Sequence, residues 1–401
     1  MKSSRTHLPS LLSALLFVLG AVLIFGTGLV LGFTVVLSVA QGKDIQLQQT
    51  ILFVAFGFEG ILLLLAAFFT FQKTLQKSSA DREAFFNLSL WQWILILIVS
   101  GASILIGRWI GSVKTVNWLI LPLLTIPAIV LPLALLLSIG VRGLPLGARW
   151  QSWTILGLGM TLIPFLLLLL EGMIGILVSI GVIVYITTQP ELVYQLQGLS
   201  QQILTLGPQS EEARQLLYPW LTKPGAIITI SLYVALLVPA VEELFKPLGV
   251  WLFARRIDSP AQGFALGALG GASYALIETI GVSGQGSDWA SLLFSRIGTG
   301  LLHITTSALM GTAIVYGVRH RGYLRLFGTY ILAVTLHGLW NISALLYTFS
   351  NLAQTLGHTG RLRTIQPIAL AALVVLAVGL FAILLSSNFR MRRIIHAPAV
   401  E

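Results

Sequence analysis

The feature that most constrains this chain is a recurrence of apolar blocks about 20 residues long or longer, the length a helix needs to cross ~30 Å of hydrocarbon. Hydrophobic residues make up 56% of the 401 and charged residues only 9%. A soluble protein of this size needs more charge than that to keep its surface solvated. The sequence contains no cysteine, which excludes disulfides and thiolate metal sites. Its net charge of +10 does not indicate a nucleic-acid partner, because the basic residues gather at the ends of the apolar blocks, where they set membrane orientation.

The blocks predict an all-α, polytopic transmembrane bundle of about ten spans. They fall near 11–37, 49–71, 90–110, 116–140, 153–187, 226–254, 260–282, 292–317, 327–349 and 366–387. The apolar run from Leu8 to Ala40 is far longer than the ~7–15 residues of a signal-peptide core, so it reads as an uncleaved first span despite the small residues Ser38-Val39-Ala40. The fifth block is long for one crossing and predicts a kink near Pro164 or an interfacial half. With the N-terminus inside, fifteen of the 24 lysines and arginines fall on the cytoplasmic side and seven on the other, which places both termini in the cytoplasm. The expected organisation is N-terminal helices of undetermined role over 1–190, an extracytoplasmic loop over 191–225, a catalytic helical core over 226–350, and a last span with a basic tail over 351–401.

A charged side chain at the bilayer centre costs at least ~2.5–3.5 kcal/mol, so each one needs a reason. Span six contains Glu242-Glu243-Leu244-Phe245-Lys246, and span seven ends in Tyr274-Ala275-Leu276-Ile277-Glu278. Span eight contains Arg296 and His303, and span nine contains His337-Gly338-Leu339-Trp340-Asn341. Counted from the cytoplasmic helix ends, Glu242, His337, His303, Asn341 and Glu278 lie at depths of roughly 18–28 Å, which predicts one shared polar layer. Glu242 and Lys246 stand four apart on one face and can pair, which leaves Glu243 in need of another partner. Gly263, Gly267 and Gly271 form a small-residue stripe that permits close helix approach and draws Glu278 towards its neighbours.

Water activation is the chemistry this set permits. A buried carboxylate beside a histidine can serve as a general base, and a second histidine, an asparagine amide or Arg296 can stabilise an oxyanion. Alternatively, two histidines and a glutamate can bind zinc and lower the pKa of its water.

Glu242-Glu243-x-x-Lys246, then Gly271-Ala-Ser-Tyr-Ala-Leu-Ile-Glu278, then Arg296 through His303 to Gly311, then His337-Gly-Leu-Trp-Asn341 resembles the PrsW family of intramembrane proteases. The resemblance covers about 235–345 and extends to the wider group of CAAX prenyl endopeptidases and bacteriocin-processing enzymes, in which a histidine tends to take the place of Glu278. It implies cleavage of single-pass, membrane-embedded substrates such as anti-sigma factors, in a bacterial cytoplasmic membrane. Glu242 and Glu243 are implied to activate water, Glu278, His303 and His337 to act as partners or as metal ligands, and Asn341 to support the transition state. The family is labelled metalloprotease, whereas related enzymes are also treated as metal-free glutamate proteases, so Zn2+ and metal-free chemistry both stay open. Thr279 stands where the family often has asparagine, which puts a secondary polar contact in doubt.

Other readings compete. The Glu-Glu-x-x-Lys group can be a structural ion pair, His303 a satisfied core histidine, and His337 with Asn341 interhelical hydrogen-bonding glue. Glu59 and Glu171 match no motif and read as structural or substrate-access residues, and Arg319-His320-Arg321 as a cytoplasmic anchor. The main rival function is a proton-coupled secondary transporter using the buried Glu/His/Lys cluster. Such a protein predicts inverted repeats and broken helices, and the two halves of this chain do not mirror each other.

Overall fold

The computed structural model describes residues 7–208, 210–281, 289–357 and 362–396, so Lys2, Arg5 and Arg361 of the orientation count lie outside the described residues. Helices dominate, and the described residues contain no β-strand beyond an isolated bridge between Glu83 and Ala148. Ten helical segments are long and apolar enough to cross a membrane, matching the ten blocks read from sequence. The chain is thus a multi-pass integral membrane protein.

Backbone contacts divide it into two units, one formed by Met1–Phe165, Glu243–Ala333 and Gly379–Glu401, the other by Leu166–Glu242 and Val334–Val378. In the first unit, α1 (Leu8–Ala40) and α2 (Leu47–Thr74) pair antiparallel. Ser10 Oγ meets Thr74 Oγ1 at 2.7 Å at one end of the pair, and Thr34 Oγ1 donates to Gln49 Oε1 at 3.3 Å towards the other. Helices α3 (Leu90–Gly111) and α4 (Asn117–Gly140) form a second pair, and α5 (Arg149–Met160) packs on α2 and on α12 (Pro260–Gly281). The centre is α12 against α13 (Trp289–His320), where 83% of each helix's most apolar window is buried. No other span passes 39%, which separates these two from helices that turn apolar surface to lipid.

The glycine stripe explains this centre. A Cβ added at Gly263 would meet Gly311 O, at Gly267 it would meet Ser307 O, and at Gly271 it would meet His303 O. The α12 backbone therefore lies directly on the α13 backbone, and only hydrogen fits between them.

The predicted kink in the fifth span occurs. The helix stops at Met160, Thr161 takes a non-helical conformation, and α6 (Leu162–Thr187) carries Pro164 in its first turn. Pro164 cannot donate to Met160 O and its ring would crowd that carbonyl, so the break falls at the turn before it. Two further helices, α7 (Pro190–Leu206) and α8 (Glu211–Leu221), occupy the segment read as a loop. The sixth span is itself interrupted. It runs as α9 (Pro224–Leu232), a π-helical turn over Tyr233–Leu237, α10 (Val238–Phe245) and α11 (Leu248–Phe253). Span nine is α14 (Tyr323–Thr355) and span ten is α15 (Leu362–His396).

Candidate active site

Each unit holds its own group of buried polar side chains. In the first unit the group starts where α10 ends. Pro247 cannot donate to Glu243 O, so regular helix stops at Phe245 and Lys246 sits in the break. Lys246 ion-pairs there with Glu243, three residues back, and both side chains are fully buried. Spacing along the helix offered Lys246 to Glu242, and it also puts Glu243, three residues back, within reach of the lysine. The partner that Glu243 needed is Lys246 itself.

Lys246 Nζ also reaches His303 Nδ1 at 2.8 Å, and His303 Nε2 reaches Glu278 Oε2 at 2.8 Å. An ammonium can only donate, so Nδ1 accepts and the ring is the neutral tautomer whose Nε2–H donates to Glu278. Arg296 Nη2 lies 2.6 Å from Glu278 Oε2, and its Nε donates to Thr279 Oγ1 at 3.4 Å. The threonine therefore does supply a secondary polar contact. Arg296 and His303 are seven residues apart, two turns on one face of α13, which is why both reach the same carboxylate. Tyr274 sets its ring edge-on to His303 at 5.2 Å. With a neutral imidazole, the two carboxylates balance the lysine and the arginine, which is the condition under which such a group tolerates burial.

In the second unit, the π-helical turn Tyr233–Leu237 leaves backbone carbonyls out of α-helical register. Asn341 Nδ2 donates to one of them, Val234 O, at 2.9 Å. A Cβ on Gly338 would meet the next, Ala235 O, so α14 approaches this turn as closely as backbone allows. The same stretch of α14 brings His337 Nε2 to 3.8 Å from Glu242 Oε2, with both side chains buried. That separation exceeds a hydrogen bond but is shorter than the sum of two metal–ligand bonds of ~2.0–2.2 Å each. The geometry fits two ligands converging on one small ion.

The PrsW family model, described as an intramembrane metalloprotease, matches residues 163–384, more than half of the chain. The chain belongs to that family. Nothing among the curated proteins and nothing among the solved structures matches it. PrsW membership supports intramembrane peptidase activity and does not favour the transporter reading.

The PrsW description raises the question of a metal, and the donor chemistry answers in part. Glu242, His303 and His337 are buried side chains of the type that can hold one. His337 and Glu242 have the spacing for it, whereas His303 commits both ring nitrogens to Lys246 and Glu278. Glu278, the other ligand implied from sequence, is held by Arg296 and His303.

Two features of this PrsW chain escaped the sequence reading. One is the His303 link to Lys246, whose only signal was Pro247 one residue beyond the lysine. The other is the π-helical turn, signalled only by Pro239 at the start of α10. Glu59 is buried on α2, and Glu171 lends its backbone carbonyl to Tyr233 Oη at 3.1 Å.

Proposed function

We propose that this protein hydrolyses peptide bonds of single-pass, membrane-embedded proteins, anti-sigma factors among them, from a bacterial cytoplasmic membrane with both termini inside. The observation that carries the mechanism is the buried Glu242–His337 pair at 3.8 Å. Glu242 is the carboxylate that takes the proton of the attacking water, and His337 is the imidazole that orients it. Were His337 and Glu242 instead to hold a divalent metal, it would supply a lower water pKa and a polarised scissile carbonyl in place of general-base chemistry by Glu242.

Glu243 has a different task. Its ion pair with Lys246 positions His303, and Glu278, clamped by Arg296, holds the imidazole by its other nitrogen. His303 so held is a positioning residue of the first unit, and the proton that Glu242 takes from the water is the one it passes to the leaving amine. Asn341 supports the transition state indirectly, by stapling α14 to the π-helical turn beside Glu242 and His337. Glu59 and Glu171 serve structure or substrate access. The kinship with CAAX prenyl endopeptidases and bacteriocin-processing enzymes follows from the same order of motifs along the chain.

The test is purified protein incubated with a single-pass membrane substrate, beside Glu242→Gln, Glu243→Gln and His337→Ala variants. Cleavage by wild type that the variants lack supports the reading, and equal cleavage by Glu242→Gln sinks it. A chelator arm with metal analysis of the purified protein separates metal-assisted from metal-free chemistry.

A further inference from the structure

A cavity of about 640 Å³ lies wholly within the first unit, among α2, α4, α5 and α12 and under the segment that joins α2 to α3. None of the residues assigned to peptide hydrolysis lines it. Its volume is that of a small-ligand site, ~300–1,000 Å³.

The cavity is built with two unlike ends. At one end stand Arg82, Glu83 and Arg149. The backbone holds them together, because Arg149 N donates to Arg82 O at 2.9 Å and Ala84 N to Gly147 O at 2.8 Å. The Arg149 guanidinium is further oriented by stacking 4.0 Å over the Phe69 ring. From that end the lining continues along α5 to Met160, eleven residues or ~17 Å further on. That depth is about half of the ~30 Å hydrocarbon core, one leaflet.

The walls beyond the charged end are apolar in effect. Ser152 Oγ returns its hydrogen to Leu146 O at 2.8 Å and Ser273 Oγ to Leu269 O at 2.7 Å. Neither hydroxyl asks for a polar guest. A polar solute would leave its own groups unpaired against such walls, whereas a hydrocarbon chain would not.

We propose that this cavity binds one glycerophospholipid with an amine-bearing headgroup, taken from the leaflet on the side of Arg82 and Arg149. Its acyl chain lies along α5 and against Leu269 and Leu276 of α12. The phosphate is gripped by the two guanidinium groups, which match its oxygens in geometry and charge. The headgroup ammonium meets the Glu83 carboxylate, so the two-plus, one-minus arrangement fits a zwitterion better than a purely anionic lipid.

The test uses the full chain in phosphatidylcholine nanodiscs doped with phosphatidylethanolamine carrying a photoreactive diazirine on its acyl chain, followed by peptide mapping. The expected result is labelling of α5 and of Leu269–Leu276 at least fivefold above α1 and α15, whose outer residues such as Leu23 and Val375 meet bulk lipid. Arg82→Gln with Arg149→Gln, both at the charged end, should cut that labelling several-fold, and Ala134→Trp should fill the cavity and remove it. Elution of the variants as monodisperse particles confirms that they fold, and the arginine pair carries the test if Ala134→Trp does not. Labelling no higher than on α1, equal capture of a phosphatidylglycerol probe, or displacement of the probe by a substrate's transmembrane segment would each overturn the proposal. The readout is lipid capture, so it stands or falls independently of peptide hydrolysis.

Discussion

The two polar groups of this protein solve the problem of buried charge in opposite ways. In the first unit, Glu243, Lys246, His303, Glu278 and Arg296 form a continuous chain of short contacts that balances its own charge. In the second, His337 and Glu242 face each other at 3.8 Å, beyond hydrogen-bond length, beside a π-helical turn that Asn341 and Gly338 hold in place. A tightly bonded chain positions its members and resists change. The boundary between the units falls between Glu242 and Glu243, so adjacent residues of identical chemistry belong to different polar groups.

The sharpest way to break this comparison is at the spaced pair. Glu242→Gln or His337→Ala should lower kcat/KM by about 10²–10⁴-fold, the range of general acid–base catalysis, while thermal unfolding in detergent stays near wild type. A large loss of stability with retained cleavage would show that the pair is structural.

In the bonded chain the expectation reverses. Lys246→Met leaves the Glu243 carboxylate buried without its ion-pair cation and should destabilise the fold by ~3–5 kcal/mol in denaturant unfolding. The double variant Glu243→Gln with Lys246→Met should recover most of that loss, because the buried charge is gone. Failure of the double variant to recover would mean that the lysine's role is not charge balance.

Gly271→Ala should cost ~1–3 kcal/mol, because the new methyl group meets His303 O and α12 must move off α13. Asn341→Leu should cost less, about 1 kcal/mol, as expected for one interhelical hydrogen bond in a membrane protein. Its kcat should fall more than its stability predicts if the π-helical turn positions Glu242.

The smallest effect is expected at the membrane edge of the first unit. His7 caps α1 by accepting the Ser10 N–H on Nδ1 at 3.4 Å, and burial with nearby Arg256 and Lys73 holds its pKa below the ordinary 6.5. The neutral ring is the one that caps, so this stability is present above pH 6.5 and is lost as the pH falls below that value through the folded pKa. A slight drop in melting temperature between pH 7.5 and 5 should vanish in His7→Gln.

Much of this was legible in the residues. The ten apolar blocks required ten spanning helices, because hydrocarbon leaves backbone polar groups no other partner. Gly263, Gly267 and Gly271 announced the α12–α13 contact because four-residue spacing puts all three on one helix face. Pro164 announced the break in the fifth span. The helices α7 and α8 were less legible, since no membrane-length apolar block marks them.

Sequence alone therefore determined the class of the molecule, its spans and the helices that carry the ionisable residues, since each follows from local length, spacing or residue type. Tertiary structure decided the partners. Lys246 meets Glu243, three residues back, beside the helix break at Pro247. His303 took a neutral, doubly engaged state because residues 57 and 25 positions away happened to meet its two nitrogens. Pairings over such distances depend on how helices pack, and no local pattern encodes them.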